Sequence, residues 1–213
     1  MAGCGPSVRH PLFARLLEWN AARDERRGQA ELRGELLRGV SGRVLEVGAG
    51  TGINFPHYPP TVRELVAVEP EPYLRSRAAE TAAPLPLAIQ VIDGLAGELP
   101  FEEASFDAAV LTGVLCSVPD QEGALREMRR VVRPGGELRF YEHVRASEPA
   151  RARWQDAVDH VWPRLMGGCH PNRDTLGAIE ASGFTVQRLR GFHFPPEALA
   201  FPVAPRILGV ARR

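Results

Sequence analysis

The stretch Val44-Leu45-Glu46-Val47-Gly48-Ala49-Gly50-Thr51-Gly52 decides the fold. A short apolar run that breaks into glycines at alternate positions is how a buried parallel strand delivers backbone to a ligand. Glycine has no Cβ to block positive φ or close approach. The spacing restricts the ligand. The dinucleotide fingerprint G-x-G-x-x-G needs glycine at position 53, where this chain has Ile53. What stands is acid-x-G-x-G-x-G, with Glu46 ahead of Gly48, Gly50 and Gly52.

Downstream of that stretch the chain alternates. Residues 43 to 47 read as the first strand, and residues 54 to 58 as one helical turn ended by Pro59-Pro60. Residues 64 to 68 form a second strand that stops at Glu69. An acid about 20 residues past the first glycine is where nucleotide folds hydrogen-bond a ribose diol. Residues 71 to 82 read as a helix and 87 to 92 as a third strand ending at Asp93-Gly94. That pair suits an acceptor for an adenine amino group, with Gly94 admitting the ring, and it also suits a plain turn. A fourth strand spans 108 to 111, and residues 112 to 117 then cross the carboxyl edge of the sheet, where open α/β folds bind ligands.

Asp120 caps a helix carrying Leu125, Met128 and Val131, Arg133-Pro134-Gly135-Gly136 is a turn, and residues 138 to 144 make a fifth strand. Such alternation predicts a parallel sheet with right-handed crossovers and helices on both faces. From Pro149 the pattern is helical, with Trp154, Val158, Val161, Trp162 and Leu165 as a core stripe. Asn172 is the expected cap of a further helix, Gly183 its C-terminal glycine, and residues 184 to 189 and 207 to 211 pair as closing strands.

At the other end, residues 1 to 39 form an N-terminal helical segment. Leu12, Phe13, Leu16, Leu17 and Trp19 precede the charged run Arg23-Asp24-Glu25-Arg26-Arg27. Lacking a strand of its own to cover, this segment is a candidate lid over the ligand, with membrane-surface attachment the alternative. Residues 40 to 213 complete a single domain, as a length of 213 residues allows. Lys plus Arg and Asp plus Glu are equal at 26 each, so there is no basic field to hold nucleic acid. No stretch is apolar and long enough for a membrane span, and three cysteines far apart suggest neither a disulfide framework nor a metal spacing. A cytoplasmic protein that binds no metal is the expectation; oligomeric state is left open.

Glu46 to Gly52, Glu69, Asp93-Gly94 and Arg129-Arg130-Val131-Val132-Arg133-Pro134-Gly135-Gly136 stand in the order and spacing of class I S-adenosylmethionine-dependent methyltransferases. The chain resembles that family over residues 40 to 145. The resemblance implies a Rossmann-like α/β sheet of seven strands in the order 3-2-1-4-5-7-6, strand 7 antiparallel. It implies S-adenosylmethionine as cofactor and S-adenosylhomocysteine as product. The glycine loop, with Gly48, Ala49, Gly50 and Gly52, falls at the methionine portion, Glu69 at the ribose, and Asp93 with Gly94 at the adenine; Glu46, Asn54, Pro70 and Thr112 are further cofactor-binding positions. A narrower likeness, through Gly52-Ile53-Asn54-Phe55, Tyr58-Pro59-Pro60, residues 114 to 118, Glu142-His143-Val144 and Gly167-Gly168-Cys169, is to the methyltransferase-like group with the vertebrate alkyl thiol S-methyltransferases. Their N-terminal membrane anchor is missing here, which leaves a soluble relative.

Methyl transfer from a sulfonium needs collinear nucleophile, carbon and leaving sulfur, so orientation does most of the work. A thiol is already partly ionised at neutral pH, whereas an alcohol requires a positioned base. His143 is the catalytic candidate. Cys116, His170 and Trp162 are candidates for the substrate wall. An alkyl thiol is the preferred acceptor, the alternatives being O- or N-methylation of a secondary metabolite or quinone precursor, and a non-catalytic cofactor-binding module.

Overall fold

A computed structural model describes residues 15, 25–195 and 201–213. Seven strands form one sheet: β1 (Gly42–Val47), β2 (Val62–Val68), β3 (Ile89–Ile92), β4 (Phe106–Thr112), β5 (Val132–His143), β6 (Thr185–His193) and β7 (Pro205–Arg212). Their order is β3-β2-β1-β4-β5-β7-β6, with β7 antiparallel to both neighbours and the other pairs parallel. This is the expected order. The helices are α1 (Ala30–Leu37), α2 (Pro72–Ala82), α3 (Gln121–Val131), α4 (Pro149–Asp159), α5 (Trp162–Leu165) and α6 (Thr175–Ala181).

The central strands are buried on both faces, and alternation along each strand assigns side chains to one or the other. Leu45 and Val47 of β1 join Ala109 and Leu111 of β4 in a core that contains Leu125, Met128 and Val131 of α3. Val44, Ala108 and Val110 join Leu36 and Leu37 of α1 and Ala78 of α2 on the opposite face. Side-chain caps fix two helix starts, the one at Asp120 as expected from its residue type. The Asp120 carboxylate accepts the Gly123 N–H at 2.8 Å, and Glu71 accepts that of Leu74 at 2.8 Å.

Four expectations change. Strand β5 starts at Val132, not at residue 138: Val132 pairs with Phe106, and the register then jumps so that Glu137 pairs with Ala108. The glycine turn is therefore a bulge at the strand's entry, with Gly135 at φ +77°. The cap of α6 is Asp174, whose carboxylate accepts the Gly177 N–H at 3.0 Å, while the Asn172 amide donates to Asp156 at 3.0 Å. The tryptophan stripe is not core. Helix α4 ends at Asp159 and buries Ala152 and Gln155, leaving Trp154 40% exposed, and Val161 and Leu165 beyond the break are more exposed still.

The N-terminal segment also divides. From Ala30 it packs on the sheet, with Leu36 and Leu37 fully buried and the Arg139 guanidinium donating to Leu36 O at 2.7 Å and Arg38 O at 2.8 Å. The rest of the expected lid, the stripe from Leu12 to Trp19 and Arg23-Asp24, lies outside the described residues.

Candidate active site

Three adjacent strand ends build the site. In register, Val47 of β1 lies beside Val68 of β2 and Leu111 of β4, so the loops that follow all leave the same edge. Chain reversal after β1 uses Gly48 at φ +69° and Gly50 at φ +59°. The N–H groups of Gly48 and Ala49 both donate to Val68 O, at 2.8 and 3.2 Å, which pins the loop against the end of β2.

Glu69, one residue past β2, faces that loop. One carboxylate oxygen accepts the Gly50 N–H at 2.7 Å and the other the Glu71 N–H at 3.0 Å. Burial raises its pKa to about 7, against the opposing pull of these two donors. A carboxylate has about four acceptor positions. Among the described residues two are taken by main-chain N–H groups, which orient the oxygen pair.

Glu46, a strand residue facing the α1 side, is almost fully buried. It accepts from the Asn54 amide at 2.8 Å and the Tyr58 hydroxyl at 2.8 Å. Burial again pushes the carboxyl up to about 7, with those hydrogen bonds and the Arg33 charge opposing. Asn54 also donates to Thr112 Oγ1 at 3.0 Å and accepts from Arg33 at 2.6 Å. Arg33 is itself buried and donates to Glu25 at 2.7 Å and Gln29 at 3.0 Å. The structure thus brings Glu46, Asn54 and Thr112 together and adds Arg33 and Tyr58, which the sequence reading did not assign. An acid within an apolar strand was the available signal, since a buried carboxylate must have donors.

A Cβ at Gly48 would stand 2.6 Å from Val114 Cγ2. Gly48→Ala is therefore expected to cost about 1–2 kcal/mol for the left-handed backbone plus a steric term. In urea denaturation, adding Val114→Ala should recover the steric part alone. Equal stability of wild type and Gly48→Ala would refute the close packing of the two loops.

At the far end of β3, Asp93 is exposed and paired with Arg75 at 3.1 Å, and the same guanidinium donates to Glu69 O at 2.9 Å and Pro70 O at 3.0 Å. Arg75 therefore ties together the two strand ends expected at the ribose and the adenine. Gly94 packs near Val68, where an added Cβ would meet Cγ1 at 3.0 Å.

A sulfur-rich cluster gathers past the ends of β4 and β5. His143, the last residue of β5, places Nε2 at 3.0 Å from Cys169 Sγ. Cys116, on the loop after β4, completes a group whose ligand atoms lie within 4.8 Å of one another, and all three residues are buried. Hydrogen bonding to Cys169, then burial, raises the Cys116 thiol well above its ordinary value, while the Cys116 thiol holds Cys169 below its own. Trp162, Met166 and Val203 pack around the two cysteines. Beneath them Glu142 accepts the Val114 N–H at 2.8 Å, its carboxyl pKa raised by burial.

The His170 ring meets Asp159 at 2.9 Å, and its backbone N–H donates to Cys116 O at 2.9 Å. The three cysteines show no motif spacing in the sequence: the adjacency of β4 and β5 brings Cys116 to His143, and the loop after α5, tied by the His170 N–H to Cys116 O at 2.9 Å, brings Cys169 to both.

Comparisons with known proteins bear on the family. Residues 45–140 match the family model described as a methyltransferase domain. The chain is 33% identical over 226 residues to the thiol S-methyltransferase TMT1B of Rattus norvegicus, covering 99% of this chain and 90% of that protein. It is 38% identical over 183 residues to the human thiol S-methyltransferase TMT1A, covering 81% and 72%. The crystal structure of a putative methyltransferase from Bacillus halodurans superposes with TM-score 0.70 at 19% identity, covering 86% of this chain and 97% of that one. No helix of the described residues is long and apolar enough to cross a membrane. With the strand order, the glycine loop and the acid after β2 in place, the chain belongs to the class I S-adenosylmethionine-dependent methyltransferases, the family of enzymes that includes the TMT1 thiol S-methyltransferases.

Proposed function

We propose that this enzyme methylates the sulfur of small alkyl thiols. The observation that carries the reading is the cluster of sulfur, imidazole and apolar side chains from Cys116, His143, Cys169, Trp162, Met166 and Val203, built around a loop whose Val114 packs against Gly48. Such a surface receives a soft, weakly hydrated nucleophile without a strong base. The relatives named as thiol S-methyltransferases support the same acceptor class.

The cofactor, when bound, supplies an electrophilic methyl group on a sulfonium. The chain's part is to hold and aim. Glu69 is assigned the ribose hydroxyls. The main chain of Gly48, Ala49 and Gly50 is assigned the methionine portion, supported by Gly52, Asn54, Thr112 and Glu46. Asp93 and Gly94 are assigned the adenine end, and Pro70, next to Glu69, is a further cofactor-binding position. His143 is the polar group assigned to contact the acceptor sulfur, with Cys116 and Trp162 shaping the wall and His170 fixing the Cys116 loop through its main chain. Fixing reactants in line is itself worth up to roughly 7–11 kcal/mol of barrier.

The test is a panel of alkyl thiols, phenols, amines and quinone precursors, scored by S-adenosylhomocysteine and methylated product. Thiols are expected to be converted and the others not. In chelator-treated buffer the rate should rise with the thiolate fraction, through a pKa near ~8.5. Turnover confined to oxygen or nitrogen acceptors overturns the acceptor class, and cofactor binding without turnover of any acceptor overturns catalysis.

A further inference from the structure

Cys116, His143 and Cys169 come from three separate places in the chain: the loop after β4, the end of β5 and the loop after α5. Their two sulfurs and one nitrogen all lie within 4.8 Å of one another, the closest pair, His143 Nε2 and Cys169 Sγ, at 3.0 Å. A tetrahedral zinc ion, with Zn–S near 2.3 Å and Zn–N near 2.0 Å, separates its ligand atoms by roughly 3.5–3.8 Å. The observed spread brackets that range, so small χ adjustments suffice.

The surroundings brace all three. The His170 N–H donates to Cys116 O at 2.9 Å, which locks the two cysteine loops together. Arg173 donates to Leu115 O at 2.6 Å and Val118 O at 2.7 Å, on either side of Cys116. Gln155 accepts the Ala146 N–H at 2.7 Å and donates to Val144 O at 3.1 Å and Pro171 O at 2.9 Å, fixing the chain after His143 and after Cys169.

The donor set selects the ion. Two thiolates and an imidazole are soft and borderline ligands, suited to zinc or copper(I) rather than magnesium or calcium. Two thiolates neutralise Zn²⁺ fully before any fourth ligand enters. Among the described residues no fourth His, Cys, Asp or Glu joins the group. Three protein ligands and an open position are the pattern of a zinc site that accepts an exogenous ligand.

We propose that Cys116, His143 and Cys169 bind one Zn²⁺ ion and that its open position takes the sulfur of a thiol acceptor. The ion site rests on the side-chain arrangement alone; the fourth ligand rests also on the thiol reading above. Cys116 and Cys169 enter as thiolates, each proton passing to solvent. The incoming thiol loses its S–H proton to solvent as the Zn–S bond forms, so the acceptor is held as a thiolate at neutral pH.

The full chain, freed of metal by chelator and dialysis, is titrated with Co²⁺ as a spectroscopic probe. Expected are one equivalent bound, a sulfur-to-cobalt charge-transfer band and tetrahedral visible bands, all displaced by Zn²⁺. Cys169→Ser should lose about half of the charge-transfer intensity, one of the two thiolates. Absence of the band in wild-type protein, which needs no variant to fold, overturns the site, as does an unchanged band in both Cys116→Ser and Cys169→Ser. Adding ethanethiol to the cobalt protein should strengthen the band, and no change overturns the fourth-ligand assignment. A cobalt band without thiol methylation overturns the function while leaving the ion site standing, so the two fail separately.

Discussion

Replacing Glu69 by alanine is expected to weaken S-adenosylhomocysteine binding at least a hundredfold while the chain stays folded. Each ribose hydroxyl that donates to a charged acceptor contributes roughly 1.5–3 kcal/mol, and two of them amount to two or more powers of ten in Kd. The same variant leaves the Gly50 and Glu71 N–H groups without their acceptor, which loosens the loop as well. Little stability is lost, because in the free protein the buried carboxyl is already held at a desolvation cost that raises its pKa to about 7. Calorimetry with circular dichroism as the fold control checks this; unchanged affinity in a folded variant removes the ribose assignment.

A pH dependence follows from the same group. The ionised carboxylate is the better acceptor for two hydroxyls, so protonation competes with the ligand as pH falls through about 7. Wild-type affinity should be flat above that value and about tenfold weaker at pH 6 than at pH 8, since each unit is 1.36 kcal/mol. Glu69→Gln should show no such slope. The stability of the free protein runs the opposite way. A carboxyl raised from 4.5 to about 7 on folding stabilises the fold fully below its unfolded value, and that contribution is lost as pH rises through 7. Thermal melts at pH 5.5 and 8 read this sign, and the difference should shrink in Glu69→Gln.

Which parts of this molecule the sequence declares follows from how local each determinant is. Strands β1, β2 and β4 are short apolar runs buried on both faces, and their ends are marked by Gly48, Glu69 and Thr112, so strand and site are legible together. The cap at Asp120 is legible because a single carboxylate does the work within one turn. Between Asn172 and Asp174 nothing local decides: both side chains can cap, and the tertiary partner Asp156 takes the Asn172 amide. The tryptophan stripe misled because a 3.6-residue pattern was extended through Asp159, where the helix stops. Arg33 reads as one more charge in a charged segment, and only the folded chain puts it beneath Asn54. Cys116, His143 and Cys169 obey no motif spacing, because the sheet order makes neighbours of the first two and the fold of the loop after α5 adds the third.

Gln155 shows how far such a non-local determinant can carry. It is fully buried on α4, and its amide accepts the Ala146 N–H at 2.7 Å and donates to Val144 O at 3.1 Å, Pro171 O at 2.9 Å and Pro202 O at 2.8 Å. These lie beside His143, Cys169 and Val203, so one side chain joins the three segments that enclose the sulfur cluster. Gln155→Leu keeps the volume and removes every one of those bonds. Each buried polar group left unpaired costs about 1–3 kcal/mol, and with partial relief by local shifts the expected loss is about 3 kcal/mol or more. For a domain of this size that is a fall of roughly 10 °C in Tm. Trp154→Ala, one position away on the exposed face, should change Tm by no more than a degree or two, since surface substitutions stay within about ±0.5 kcal/mol. Cofactor affinity should survive Gln155→Leu better than thiol turnover does, because the glycine loop and Glu69 share no bond with this amide. Differential scanning fluorimetry on the two variants, followed by binding and turnover measurements below the melting range, tests both halves. Equal melting temperatures for Gln155→Leu and wild type would show that the three segments hold their positions without it.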